Sequence, residues 1–212
     1  MKLNDSPTER TTAATDVLLS LASAGGIFLL QSRATPIPWK LHLWSGTFAL
    51  ISLAAALGAV YHGLVLAEGP RGWLWRILTA CLSMTISLFV VGVFHDVFGR
   101  QAAGRILPLM LTAGVLVYAV SRMFEGLFRV FIVYQTLALV LALSLYVWLA
   151  AQGTSAGAGW MATGVTASII AAGIQTVRSL HVKLIWTFDR NGVFHLVQFL
   201  GVILLCVGLL LG

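Results

Sequence analysis

The sequence predicts an all-α fold, a bundle of seven transmembrane helices with a cytoplasmic N-terminus and an external C-terminus. Three observations lead there. The 212 residues are 59% hydrophobic and only 9% charged, and the mean hydropathy of +0.95 excludes a soluble domain of this size. A hydrocarbon core about 30 Å thick takes about 20 apolar residues as helix, so the chain holds about seven spans with short connections. The apolar runs are long and lack strict alternation, which selects helices over a barrel. The net charge of +6 comes from thirteen basic residues scattered at segment ends, which sets orientation in a membrane and is no nucleic-acid signature.

The whole chain, residues 1–212, reads as a single transmembrane domain. Residues 1–15 are polar and read as a flexible tail. Ala22-Ser23-Ala24 has the look of a signal-peptidase site, but acidic residues in the leader argue against cleavage. The first span covers 17–31, and Pro36 and Pro38 mark the turn after it. The second covers 41–66, with small residues Ala54, Ala55, Ala56, Gly58 and Ala59 in its middle. Small residues let helix backbones approach closely in lipid, which places this span inside the bundle. The third covers 73–98 and carries Thr79, Ser83 and Ser87 at four-residue spacing, a polar stripe that should face inward and line a pocket. A loop at 99–104 separates it from the fourth, 105–121, with Pro108 in its first turn. The fifth covers 125–151, with Glu125 and Arg129 spaced to pair. The sixth covers 160–182, and the seventh 193–212. Cys81 and Cys206 both lie in apolar runs and suggest neither a disulfide nor a metal knuckle.

Alternating seven spans gives the N-terminal side nine basic residues and the other side four. The positive-inside bias then makes the N-terminal side cytoplasmic. The same count sorts the histidines. His62, His181 and His195 fall at the cytoplasmic depth, and Asp16 joins them. His42 and His95 fall at the other.

Around His195, a polar turn runs straight into the last apolar segment. Asp189 or Asn191 can cap the helix there. Asn191 and His195 are four apart on one face, and Gln198 follows three later as a further pocket-lining group. Polar groups at such depth are costly and usually have a partner or a task. Three neutral imidazoles with an open fourth position suit a catalytic Zn²⁺. The metal would lower the pKa of its bound water. Asp16 and Asn191 would orient that water or a ligand imidazole. A rival reading pairs His42 with His95, and His62 with His195, as axial ligands of b-type haems. A third uses the same polar pocket without metal, to bind or transport a small molecule or lipid.

Two short motifs carry a resemblance. Ala59-Val60-Tyr61-His62-Gly63 resembles the second-span ligand motif of the seven-span CREST-type membrane hydrolases, the superfamily of alkaline ceramidases and progestin/adiponectin receptors. Asn191-Gly192-Val193-Phe194-His195 resembles their seventh-span HxxxH with Asn191 in place of the first histidine. Gly58 stands where those proteins carry a serine, and 73–79 lacks their aspartate. The Asn-containing turn before His195 also resembles that of an uncharacterised bacterial membrane family. The resemblance implies zinc on His62 and His195, with His181 as the third ligand, or the Asn191 oxygen in its place, or else no zinc; it also implies a membrane lipid as substrate, hydrolysis of its amide or ester, and a bacterial inner (cytoplasmic) membrane.

Overall fold

Helix α1 (Pro7–Ser32) begins at Pro7 rather than at residue 17 in the computed structural model of the chain. That structure describes residues 2–32, 38–123, 128–177, 179–183 and 185–212. Proline at the first helical position has no N–H to leave unsatisfied, and Glu9 in the first turn suits the positive end of the helix. Residues 7–15, expected to be loose, are therefore helical. The tail before them is tied down as well. Strand β1 (Lys2–Leu3) pairs with β2 (Leu64–Val65), which follows α2 (Pro38–Gly63). The Asn4 N–H donates to the Gly63 carbonyl at 2.9 Å.

Helices α1 and α2 pack along their small residues. The Ser20 and Ser52 hydroxyls each donate to the other residue's carbonyl, at 2.9 and 3.0 Å. Ala54, Ala55 and Gly58 are buried, whereas Leu53, Ala56 and Val60 are exposed, so one face of the second segment is interior and the other is not.

The next element overturns the seven-helix count. The loop expected at 99–104 does not exist: residues 73–98 and 105–121 are two helical arms that meet at a kink. Both belong to α3 (Glu68–Met123), 56 residues long and non-helical only at Gly99, with φ 82° and ψ 176°. That conformation is open essentially to glycine alone. It folds the two arms of α3 back on each other. A β-carbon on Gly114 would run into the Ser87 hydroxyl and the Met84 side chain, while Val91 and Ala103 share one buried cluster with Ile106 and Met110. Pro108 lies inside the second arm rather than at a helix start.

Helices α4 (Phe128–Ala151) and α5 (Ala158–Thr176) follow. The sixth predicted span, 160–182, stops at Thr176. The chain then forms an antiparallel hairpin, β3 (His181–Lys183) with β4 (Thr187–Asp189), before α6 (Arg190–Leu211). Among the described residues there are six helices, and five of them are long and apolar enough to cross a membrane. Helix α5 is not one of the five: its 19 residues are diluted by Gly, Ser, Thr and Gln. The all-α class holds, the seven-transmembrane-helix architecture does not, and the cytoplasmic N-terminus and external C-terminus derived from that count lose their basis.

Trp44, Phe48, Tyr146, Val165 and Val202 are almost fully buried at the centre. Phe28, Leu109 and Leu137 point outward and are mostly exposed. An apolar exterior of this kind suits lipid as solvent. The two chain ends lie at opposite ends of the bundle. Asn4 sits on His62, whereas Gly212 shares a cavity with Lys40 and His95.

Candidate functional site: a buried carboxylate and imidazole between α1 and α6

One face of α1 supplies most of this site. Glu9, Thr12 and Asp16 follow a helical repeat, and Thr15 is one residue from Asp16, so all four lie on adjoining flanks. Glu9 turns to α2, where its carboxylate lies 2.8 Å from His62 Nδ1. Thr12 turns to α6 and donates to Asp189 Oδ1 at 3.1 Å. Asp16 reaches both neighbours. Its Oδ1 is 3.3 Å from His195 Nε2 on α6, with side-chain exposures of 4% for Asp16 and 12% for His195. Its other oxygen, Oδ2, is buried without a hydrogen-bond partner and lies against Gly58 of α2.

The hydrogen bonds limit where protons lie. The Thr15 hydroxyl donates its one proton to the Thr12 carbonyl at 2.8 Å. Toward His195 Nδ1, 3.4 Å away, it accepts from a protonated Nδ1 or turns to donate to a bare one, according to the ring's tautomer. Bare carboxylate facing a bare Nε2 lone pair would repel. A neutral Nε2–H ring can donate to an ionised Asp16; with one more proton on the pair, the acid donates to the ring or an imidazolium donates to the carboxylate. The site is a buried pair of groups that can each bind a proton.

His195 is held at this depth by the start of α6. Asp189 caps the helix, accepting from the Asn191 and Gly192 N–H groups at 3.0 Å each. Capping by Asp189 or Asn191 was open in the sequence, and Asp189 does it. Asn191 enters through its backbone.

The other expected site residues are placed differently. His62 shares the end of the bundle with His195, but its ring is engaged by Glu9. His181 sits in β3, exposed, with Nδ1 3.3 Å from the Ser179 carbonyl. The three-imidazole set does not assemble, because α5 ends at Thr176, five residues before His181. Among the described residues, no group of three or more His, Cys, Asp or Glu is placed to hold a metal ion. The polar stripe of α3 is inward, as expected, but serves packing. Thr79 donates to Trp75 and Arg76 carbonyls, Ser83 is buried, and Ser87 bonds the Tyr134 hydroxyl of α4 at 2.9 Å. Gln198 donates to Ser168 of α5 at 3.1 Å. The haem pairs do not form either: His42 is exposed while His95 is buried, and His62 and His195 face separate carboxylates. The expected Glu125–Arg129 pair lies outside the described residues.

Glu9, Thr12 and Thr15 were not expected at the site. Their signal was Pro7-Thr8-Glu9, a proline and an acid opening a helix. Gly58 also has a structural meaning now. It stands where the resembled hydrolases carry serine, and the Asp16 carboxylate fills the space that a side chain there would need.

No curated protein and no solved structure matches this chain. One family model matches residues 11–211, that of a family of unknown function, DUF6962. The match takes in Asp16, Gly58, His62 and His195, and the chain belongs to that family.

Proposed function

We propose that this protein is an integral membrane protein of the binding or transport class that takes up and releases a proton at Asp16 and His195. The observation that carries the reading is the pair itself: a carboxylate and an imidazole 3.3 Å apart, buried between two helices, with one carboxylate oxygen unsatisfied. Ionisable groups inside a membrane bundle are expensive, and such chains of acid and imidazole serve as proton relays. Removing a proton from the pair leaves an ionised carboxylate in a buried site, which favours separation of α1 from α6. Proton release is thereby coupled to helix movement. A bacterial cytoplasmic membrane is the site we infer.

The experiment is proton flux into liposomes holding the purified protein and a pH-sensitive dye, with a potassium-diffusion potential imposed. The reading expects flux in the wild type and its loss in Asp16→Asn and His195→Gln. Equal flux in all three, or none above empty liposomes in the wild type, rejects it.

A second reading keeps hydrolysis of a lipid amide or ester, in line with the CREST-type resemblance. An apolar groove of about 310 Å³ between α1 and α2, lined by Ala13, Val17, Ala59 and Val60, could take an acyl chain. Zinc would need a third donor beside Asp16 and His195 that the described residues do not bring, so no step is routed through it. Elemental analysis finding one zinc per chain, with release of fatty acid from a lipid amide, favours this second reading.

A further inference from the structure

The hairpin between α5 and α6 carries at its tip the most exposed large apolar side chain among the described residues. Ile185 is 94% exposed, and Trp186 beside it 65%. Three observations say what covers them. The first is direction. The Thr11 hydroxyl of α1 donates to the Thr187 carbonyl at 2.7 Å, and the Thr12 hydroxyl to Asp189 Oδ1 at 3.1 Å. Thr11 and Thr12 differ by about 1.5 Å along the helix axis, whereas Thr187 and Asp189 are about 6.6 Å apart along a strand. Strand β4 therefore lies across the end of α1 rather than along it, with Phe188 buried beneath. The tip is directed sideways from the bundle, toward the surroundings of its apolar exterior.

The second observation is depth. Helix α6 is long and apolar enough to cross a membrane and starts at Arg190, so the hairpin joins it at a membrane boundary. A crosswise hairpin keeps its tip at that level. The third is composition. The exposed tryptophans among the described residues are Trp73, Trp148, Trp160 and Trp186. Trp73 lies near the start of α3, at the hairpin's end of the bundle, with Arg76 over its ring. Trp148 is in the last turn of α4 and Trp160 in the first turn of α5, at the opposite end, where Leu149, Ala158 and Gly212 share a cavity. Between these two levels the exposed side chains are of the kind of Leu137, Val140 and Ile170. Tryptophan gathers at both water boundaries of a bilayer, which is this distribution. Lys183, paired across the hairpin with Thr187, is exposed next to the tip. Its ammonium complements lipid phosphate while its stem lies on apolar surface.

We propose that the β3–β4 hairpin is an interfacial anchor whose partner is the lipid of the surrounding bilayer. Ile185 enters the acyl chains, the Trp186 ring sits at headgroup level, and Lys183 meets phosphate. The anchor rests on the membrane placement of the chain and not on proton uptake. Through the Asp189 cap it leads directly into the first turns of α6, which carry His195.

The test uses the full chain in phosphatidylcholine–phosphatidylglycerol liposomes recovered by flotation. Ile185→Cys, in a Cys81→Ala and Cys206→Ala background, carries a nitroxide. Its collisions with oxygen, which concentrates in the bilayer, and with a neutral nickel chelate, which stays in water, are read by electron paramagnetic resonance. The anchor expects frequent oxygen collisions and few nickel collisions. Trp186 gives a second reading that needs no cysteine variant. The emission lost on Trp186→Phe should be the part quenched by lipids brominated in their acyl chains, and acrylamide in the water should leave it intact. Both readings should be the same in Asp16→Asn. A nickel-accessible label or an acrylamide-quenched Trp186 overturns the anchor. So does a label shielded from both reagents and broadened by a second label, which would seat the tip on another copy of the chain. Protein that does not float with the vesicles removes the membrane placement itself, whereas floating protein with its tip in water removes the anchor alone.

Discussion

Asp16 and Gly58 occupy one another's space: a β-carbon on residue 58 would lie 2.7 Å from Asp16 Oδ2 and 2.9 Å from Oδ1. The absence of a side chain on α2 is thus what lets a carboxylate from α1 stand upright against His195. Sequence and site meet at this contact. A position that reads as one more small residue in an apolar helix sets the depth of the one buried acid on α1.

Gly58→Ala should therefore displace the carboxylate and lower stability by about 1–3 kcal/mol, the usual cost of overpacking. Thermal unfolding in maltoside measures it. Asp16→Ser in the same background should restore most of the loss, because the shorter side chain vacates the clash. A Gly58→Ala variant as stable as wild type contradicts the packing.

The carboxylate–imidazole pair should behave as a unit. Asp16→Ala and His195→Ala each strand a buried polar partner, at about 1–3 kcal/mol apiece. The double variant should cost clearly less than the two losses added. Additive losses would mean that the two groups do not share a proton.

Asp189→Ala removes the acceptor of two α6 N–H groups and of the Thr12 hydroxyl. A loss of about 1 kcal/mol, within 0.5–2, is expected. Hydrogen exchange should quicken at the first turn of α6 and not at its last. Asp189→Asn keeps an acceptor oxygen and should lose much less.

Gly99→Ala tests the fold-back of α3. With φ at 82° and ψ at 176°, a side chain there costs about 1–3 kcal/mol of backbone strain. Open space surrounds the position, so a loss of stability would come from the backbone and not from a clash. A neutral substitution would show that the bend does not need glycine.

Much of the site was legible and part of the fold was not. The apolar runs placed most helices, and alternating them across the membrane put Asp16, His62 and His195 at one end. Gly99 misled, because a lone glycine between two apolar runs reads the same whether it opens a loop or redirects a helix without one. Residues 7–15 misled for another reason: Thr and Glu dilute hydropathy without preventing a helix, and Glu9 and Thr12 were lost with them. His181 was misassigned because the helical period was carried past Thr176. Thr187-Phe188-Asp189 and His181-Val182-Lys183 each alternate polar and apolar, which is a strand signal. No sequence pattern gives the depth match of Gly58 to Asp16, since it depends on the register between two helices.

Infrared difference spectroscopy on acidification addresses the shared proton most directly. The wild type should show a protonated-carboxyl band that disappears in Asp16→Asn and shifts in frequency in His195→Gln. The same band in all three proteins would show that the proton is held elsewhere.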